Sequence, residues 1–423
     1  MPRVSVIIAT YNWSEALKCA LRSLQLQTFT DFEVLVVGDA CTDDSAEVVA
    51  GFGEPRFRWM NRARNAGGQW APNNDGIAES SGEYIAYLGH DDLWYPTHLE
   101  LLIRAADSCR ADLACAIAMM YGPPETGVRA VCGVFRDGAM DASQFVVPSS
   151  LMHTRALIER IGPWRDPDGL LMPTDCELVR RAFESGARFA ATNELTVFKF
   201  NAAWRRDAYG RRRTDEQHDM LARIESGVDF RTEELVGLVR AFVSNRTFEV
   251  RMPVPNEATA GAMRSTRAYK GARSTGQAVE PLRAPRHFTV ADQPPSLEWY
   301  LPEGAEGREM FRWSGPSTRS MLRFPISLEG PTEIRVQVVG VADPACLTSL
   351  RIEVDGCPVQ HTMTTNADGS CMVQVRSEAP TPAGKPVSVQ FTFEKTTPRA
   401  EDPDRRPRGI AVAVVEFLPV SRS

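Results

Sequence analysis

The chain has 423 residues, too many for one ordinary domain and suited to two or three. Its hydrophobic share of 43% can fill sizeable cores, and its charged share of 24% is that of a water-soluble protein. A formal net charge of −6 argues against a general nucleic-acid binder, which normally shows a basic face.

In chain order, Val4-Ser5-Val6-Ile7-Ile8-Ala9 is an apolar β-rich run of the kind buried in a parallel sheet. Thr10-Tyr11-Asn12-Trp13 ends it, and Ala16, Leu17, Ala20, Leu21 and Leu24 follow at helical spacing. Phe32 to Val37 gives a second strand, closing on Gly38-Asp39, and a helix is expected from Ser45 to Ala50. Phe57 to Met60 and Tyr84 to Leu88 are the next two strands. Alternating strands and helices predict βαβ units, a mostly parallel sheet and a ligand crevice beyond the strands' carboxyl ends. Thr10, Asp39 and Asp91 lie just past those ends. The fourth strand runs into Gly89-His90-Asp91-Asp92, where two adjacent carboxylates at a buried strand end call for a positive partner. A hard divalent cation carrying a diphosphate would serve.

VSVIIATYNW, VLVVGDACTDDS and NAGGQWAPNNDGIAESSGEYIAYLGHDDLW, in this order, resemble the donor-binding half of a family 2 glycosyltransferase of the GT-A fold. The resemblance covers roughly residues 1–205 and implies a nucleotide-diphospho-sugar donor, a divalent metal (manganese or magnesium) and inversion at the anomeric carbon. It places Thr10, Tyr11 and Asn12 where the family packs base and ribose, and Asp39 where an acid accepts from the nucleobase imide, favouring uracil or thymine. Asn74 matches an asparagine on the diphosphate side; Asp91, with Asp92 beside it, matches the metal-holding acid, and His90 lines the same pocket. Gly38 and Gly89 stand where the family commonly has acids, the second often a ribose contact.

Beyond a helix opened by Pro96, Thr154 to Ile161 is expected as a helix stopped by Gly162-Pro163. Thr174-Asp175-Cys176-Glu177 fits a capping box with Thr174 as the cap, which leaves Asp175 available to the crevice. In the family this helix start carries the catalytic base, so the resemblance implies that role for Asp175. Trp164 resembles an aromatic of the acceptor side; a buried core tryptophan is the equal alternative. The arginines at 205–206 and 211–213 read first as a solvated face and second as a cover for the diphosphate or anionic lipid.

Thr214 to Gln217 is a second capping box opening a helix to Ser226, and Leu235, Leu238, Val239 and Phe242 predict another. Residues from about 253 to 285 read as a linker. The period then becomes alternating, clearest in Val387 to Glu394, with an Asp355-Gly356 hairpin signal. The expected domains are a GT-A domain over 1–210, a helical connector and linker over 211–285, and an all-β sandwich or jelly-roll module over 286–423. The segments Phe311 to Gly315 and Asp404 to Gly409 look like modules appended to bacterial polysaccharide transferases, with Trp299 and Trp313 as core residues ahead of sugar platforms.

No apolar run reaches transmembrane length, and Met1-Pro2-Arg3 runs directly into a strand, so no signal peptide is expected. Nine scattered cysteines without a C-x-x-C pair suit a reducing cytoplasm. The leading expectation is a cytoplasmic, metal-dependent inverting transferase, open to contact with the inner membrane face and to self-association. Its acceptor would be a glycan or glycolipid of the cell envelope. The rivals are a non-catalytic glycan or nucleotide binder with a decayed domain, and, ranked last, a nucleotidyltransferase, which needs a glycine-rich basic loop where Thr10-Tyr11-Asn12-Trp13 stands.

Overall fold

A computed structural model describes residues 1–135, 139–205, 208–227, 230–244, 247–250, 252, 279–292, 298–299, 310–315, 318–366, 369–381, 385–397 and 408–420. The chain divides into two compact units, Met1–Val254 and Pro255–Ser423. The expected linker falls almost entirely outside the described residues, as does most of the Asp404 to Gly409 segment.

The first unit is built on β1 (Val4–Thr10), α1 (Ser14–Gln25), β2 (Phe32–Gly38), α2 (Ser45–Gly51), β3 (Phe57–Asn61), α3 (Trp70–Glu79) and β4 (Tyr84–Tyr87). There follow β5 (Leu93–Trp94), α4 (His98–Cys109), β6 (Leu113–Tyr121), β7 (Arg129–Cys132), β8 (Leu151–Thr154), α5 (Arg155–Ile161), α6 (Thr174–Glu184) and β9 (Phe189–Lys199). The unit closes with α7 (Ala208–Arg211), α8 (Asp215–Glu225), α9 (Arg231–Val243) and β10 (Thr247–Glu249). One sheet runs β10-β7-β6-β8-β4-β1-β2-β3, with β9 beside β6 and β5 on β9. Pairing is parallel from β4 through β1 and β2 to β3, as the βαβ pattern requires; β8 enters antiparallel.

The sheet is buried on both faces, which is why its strands are continuously apolar rather than alternating. Val4, Val6 and Ile8 pack with Leu17, Leu21 and Leu102 on one face. Ile7 and Ile85 point the other way and pack with Leu157, Leu178 and Val179. Gly76 sits inside α3 because a Cβ there would come within 2.6 Å of the Ile7 side chain. The helices expected as a connector, α8 and α9, are part of this first unit.

Neither capping box forms. Thr174 is inside α6, its hydroxyl donates to the Arg165 carbonyl at 2.7 Å, and Pro173 is the cap position. Glu177 pairs instead with Arg165 and Arg181. Thr214 stands at the cap of α8 without a side-chain bond, because Gln217 reaches across to the Asp91 carbonyl at 3.2 Å. In both cases a tertiary partner outbids the local one.

The described residues of the second unit are mainly β, with a short helix at Ala345–Thr348. A six-stranded sheet centred on Thr332–Val341 and Ile410–Pro419 and a four-stranded sheet containing Arg319–Phe324 and Val387–Thr392 contribute to one core. Val336, Val373 and Phe417 of the first meet Phe324, Val389 and Phe391 of the second. Asp355 (φ 51°) and Gly356 (φ 81°) make the expected hairpin turn. Trp299 and Trp313 are both buried, at 3% exposure, so neither is a surface platform for sugar.

Candidate active site

Four segments converge past the ends of β1, β2 and β4. Asn12 (φ 46°) and Ala40 (φ 61°) take left-handed backbone there, the tight reversals that end β1 and β2. Asn12 serves the loop rather than a ligand: its Oδ1 accepts from the Thr42 N–H at 2.7 Å and its amide donates to the Thr42 hydroxyl at 3.3 Å. Asp39 is 4% exposed, and its carboxylate accepts from Arg62 at 3.0 Å and from the N–H groups of Ala66 and Gly67 at 2.8 and 3.1 Å. It thereby fixes the 62–67 loop. Gly38, beside it, is a packing requirement, since a Cβ there would lie 2.6 Å from Asn61 Oδ1. Tyr11 is half-buried at the mouth.

The Gly89-His90-Asp91-Asp92 turn is held residue by residue from four directions. The Gly89 N–H donates to Ser149 Oγ at 3.0 Å. The Tyr11 N–H approaches His90 Nδ1 at 3.4 Å, so Nδ1 is the acceptor and the Thr10 hydroxyl donates to it at 2.9 Å. That arrangement puts the ring proton on Nε2. The Asp91 carbonyl accepts from Gln217 on α8. Asp92 is fully buried: Oδ2 accepts from Ser149 Oγ and from Lys199 Nζ at 2.9 Å, and Oδ1 from the Phe200 N–H at 3.2 Å.

Asp92 is therefore not the metal ligand expected from its position; the protein itself supplies its positive partner. Gly89 follows from the same geometry, because a Cβ there would come 2.6 Å from Asp92 Oδ2. The Asp91 carboxylate, by contrast, has no hydrogen bond or ion pair among the described residues, although Asp91 is only 8% exposed.

Asp175 lies in the first turn of α6, half-buried, with Oδ1 accepting from the Cys176 N–H at 3.0 Å and its carboxyl bonded further by its own N–H and the Cys176 thiol. Burial raises its carboxyl above the usual aspartate range, and the Cys176 N–H and the Lys199 charge pull against that rise. Burial likewise opposes charge on Lys199, but Asp92, then Asp91, and further off Asp175 overcome it and raise the ammonium's pKa. Burial also drives Asp92 up while Lys199 holds it down; the 2.9 Å contact marks an ion pair. Three acids and one buried lysine thus share one field, and sequence reading missed the lysine. The available signal was the one charged residue in the largely apolar stretch Leu195 to Phe200.

Two expected site residues are engaged by other protein groups. Trp164 is 2% exposed, and its indole N–H donates to the Tyr87 hydroxyl at 3.0 Å. Tyr87 in turn meets His153, whose pKa burial lowers to about 4. Asn74 clamps the Trp164 backbone through both amide atoms, at 2.9 Å each way, so the pair braces α3 against the loop before α6. Arg205 pairs with Glu216 and caps the carbonyls of Tyr121 and Gly122, while residues 211–213 are exposed. Arg206 lies outside the described residues.

No group of three or more metal-binding side chains exists among the described residues. The donor set offers one oxygen ligand, Asp91. That fits a hard cation which takes one or two carboxylates and completes its shell with substrate phosphates and water.

Comparison with known proteins falls on this same stretch. Residues 5–136 match the family model Glycosyl transferase family 2. The matched residues include Thr10, Asp39, Asn74, His90, Asp91 and Asp92; Asp175 and Lys199 lie beyond them. The uncharacterized glycosyltransferase YibD of Escherichia coli (strain K12) is 36% identical over 114 residues, 26% of this chain and 33% of that protein. The succinoglycan biosynthesis protein ExoO of Rhizobium meliloti (strain 1021) is 34% identical over 114 residues, 27% of this chain and 32% of that protein. The chain spans about a third of the length of the curated relatives it matches. A crystal structure of S. aureus TarS 1-349 is 18% identical, covers 65% of this chain and 74% of that one, and has a TM-score of 0.39.

Proposed function

We propose that the first unit transfers a sugar from a nucleotide-diphosphate donor, UDP foremost, to a hydroxyl of a glycan or glycolipid, with inversion. One observation carries this reading. Of the acids gathered in the crevice, Asp91 has no hydrogen bond or ion pair to its carboxylate among the described residues and Asp175 is bonded only at its own helix start, by its own N–H and by Cys176, and both lie in the field of Lys199. A single displacement needs two such groups, one toward the leaving diphosphate and one toward the attacking hydroxyl.

In this mechanism the mouth at Thr10 and Tyr11 receives the nucleoside, and Asp39 holds the loop that closes beside the base. Asp91 faces the diphosphate and would hold the divalent cation. That cation, when bound, supplies charge neutralisation at the leaving group. Asp175 accepts the proton of the acceptor hydroxyl as it attacks from the opposite side; burial suits it to this work by raising its basicity.

The non-catalytic alternative drew its support from Gly38 and Gly89. Both glycines are explained by close approach, to Asn61 and to Asp92, which removes them as signs of decay. Assembly of a cell-surface polysaccharide is the class of role that the name of ExoO suggests. No helix among the described residues is long and apolar enough to cross a membrane. Contact with an inner membrane face draws support from α9, which exposes Leu235, Val239 and Phe242.

The test is incubation with a panel of UDP- and dTDP-sugars and short glycan or glycolipid acceptors, with the product's anomeric proton read by NMR. Transfer with anomeric inversion is expected. Retention of configuration would contradict the single displacement, and no transfer from any donor would favour a binding role.

A further inference from the structure

Lys199 has no role in the reaction as written above, yet a buried ion pair is seldom kept for stability, since apolar residues of the same size commonly serve as well or better. Its place suggests what it does. Lys199 ends β9, and it meets Asp92 at 2.9 Å where the neighbouring Phe200 N–H meets the other carboxylate oxygen. Ser149 joins the same carboxylate to the Gly89 N–H, and the Asp92 N–H donates to the Gly89 carbonyl at 3.0 Å. Asp92 is thus the post around which the turn closes, and Lys199 is the charge that lets this post be buried ionised.

We propose that Lys199 is a positioning residue for the donor site: by fixing Asp92 it sets the Gly89 to Asp92 turn that presents the Asp91 carboxylate, which has no bond among the described residues. This rests on the transferase reading of the crevice. Were the pair replaced by an apolar couple, the turn would lose the side-chain contacts that tie it to the end of β9, while His90 and the Asp91 carbonyl would still be held by β1 and α8. The damage expected is a misplaced Asp91 within an intact fold.

The experiment measures UDP affinity by calorimetry in the presence of manganese, together with the melting temperature, for the whole chain. Lys199→Met alone strands a buried carboxylate and can fail to fold, so the informative variant is the double Asp92→Asn, Lys199→Met, which removes both charges and keeps both shapes. It should melt near wild type yet bind UDP about tenfold more weakly or worse, the loss typical of removing a partner that orients a ligating group. Lys199→Arg, which keeps the charge, should restore most of the affinity. Unchanged UDP affinity in a folded double variant would overturn the proposal and leave the transferase reading standing. Absence of UDP binding by the wild-type chain would overturn both.

Discussion

Asp175→Asn is expected to lower kcat by about 10²–10⁴-fold, the usual contribution of a positioned general base. Asparagine has the same shape and its Oδ1 can still accept from the Cys176 N–H, so melting temperature and UDP affinity should stay near wild type. The pH profile offers a second readout. A general base works ionised, so activity falls as pH drops through its pKa. Burial raises that pKa, which places the acid limb of kcat above the value of about 3.9 for a free aspartate. The limb should vanish in the asparagine variant. Wild-type kcat in Asp175→Asn would remove the residue from the chemistry.

The second large effect separates two adjacent aspartates. Asp92→Ala should destabilise the first unit by about 3–5 kcal/mol, because it leaves Lys199 buried and unpaired and takes away the acceptor of Ser149 and of the Phe200 N–H. Asp91→Ala removes a carboxylate that bonds to nothing among the described residues and should leave stability within about 0.5 kcal/mol. Thermal unfolding of both variants without ligand reads the difference. Equal stability of the two would mean that the buried ion pair does not hold the turn.

That contrast also marks how far the sequence could be read. The strand-helix alternation, the parallel sheet and the gathering of Thr10, Asp39 and Asp91 past strand ends followed from hydrophobic period alone, because burial on both faces leaves a plain apolar signature in β1, β2 and β4. The Asp355-Gly356 hairpin was equally legible, since its backbone conformation is local. What pattern could not show was the direction in which a polar side chain turns. Asp91 and Asp92 are neighbours of one type, yet a lysine more than a hundred residues on claims only the second. The resemblance points Asn74 toward the diphosphate, and Trp164 reads equally as an acceptor-side aromatic or a core residue; the structure adds that the Asn74 amide braces the Trp164 backbone. Thr174, Glu177 and Gln217 fitted a local capping rule and lost it to other partners, the Arg165 carbonyl and guanidinium and the Asp91 carbonyl. Tertiary partners of this kind leave no mark on spacing.

The measurement that meets the central claim most directly is calorimetric titration of the purified chain with UDP, GDP, CDP and dTDP, with and without manganese, in wild type and in Asp91→Ala. Metal-dependent binding of UDP or dTDP that is lost in Asp91→Ala is the expected result. Failure of every nucleotide to bind in either condition, or binding that ignores both the metal and Asp91, would contradict the donor site described above.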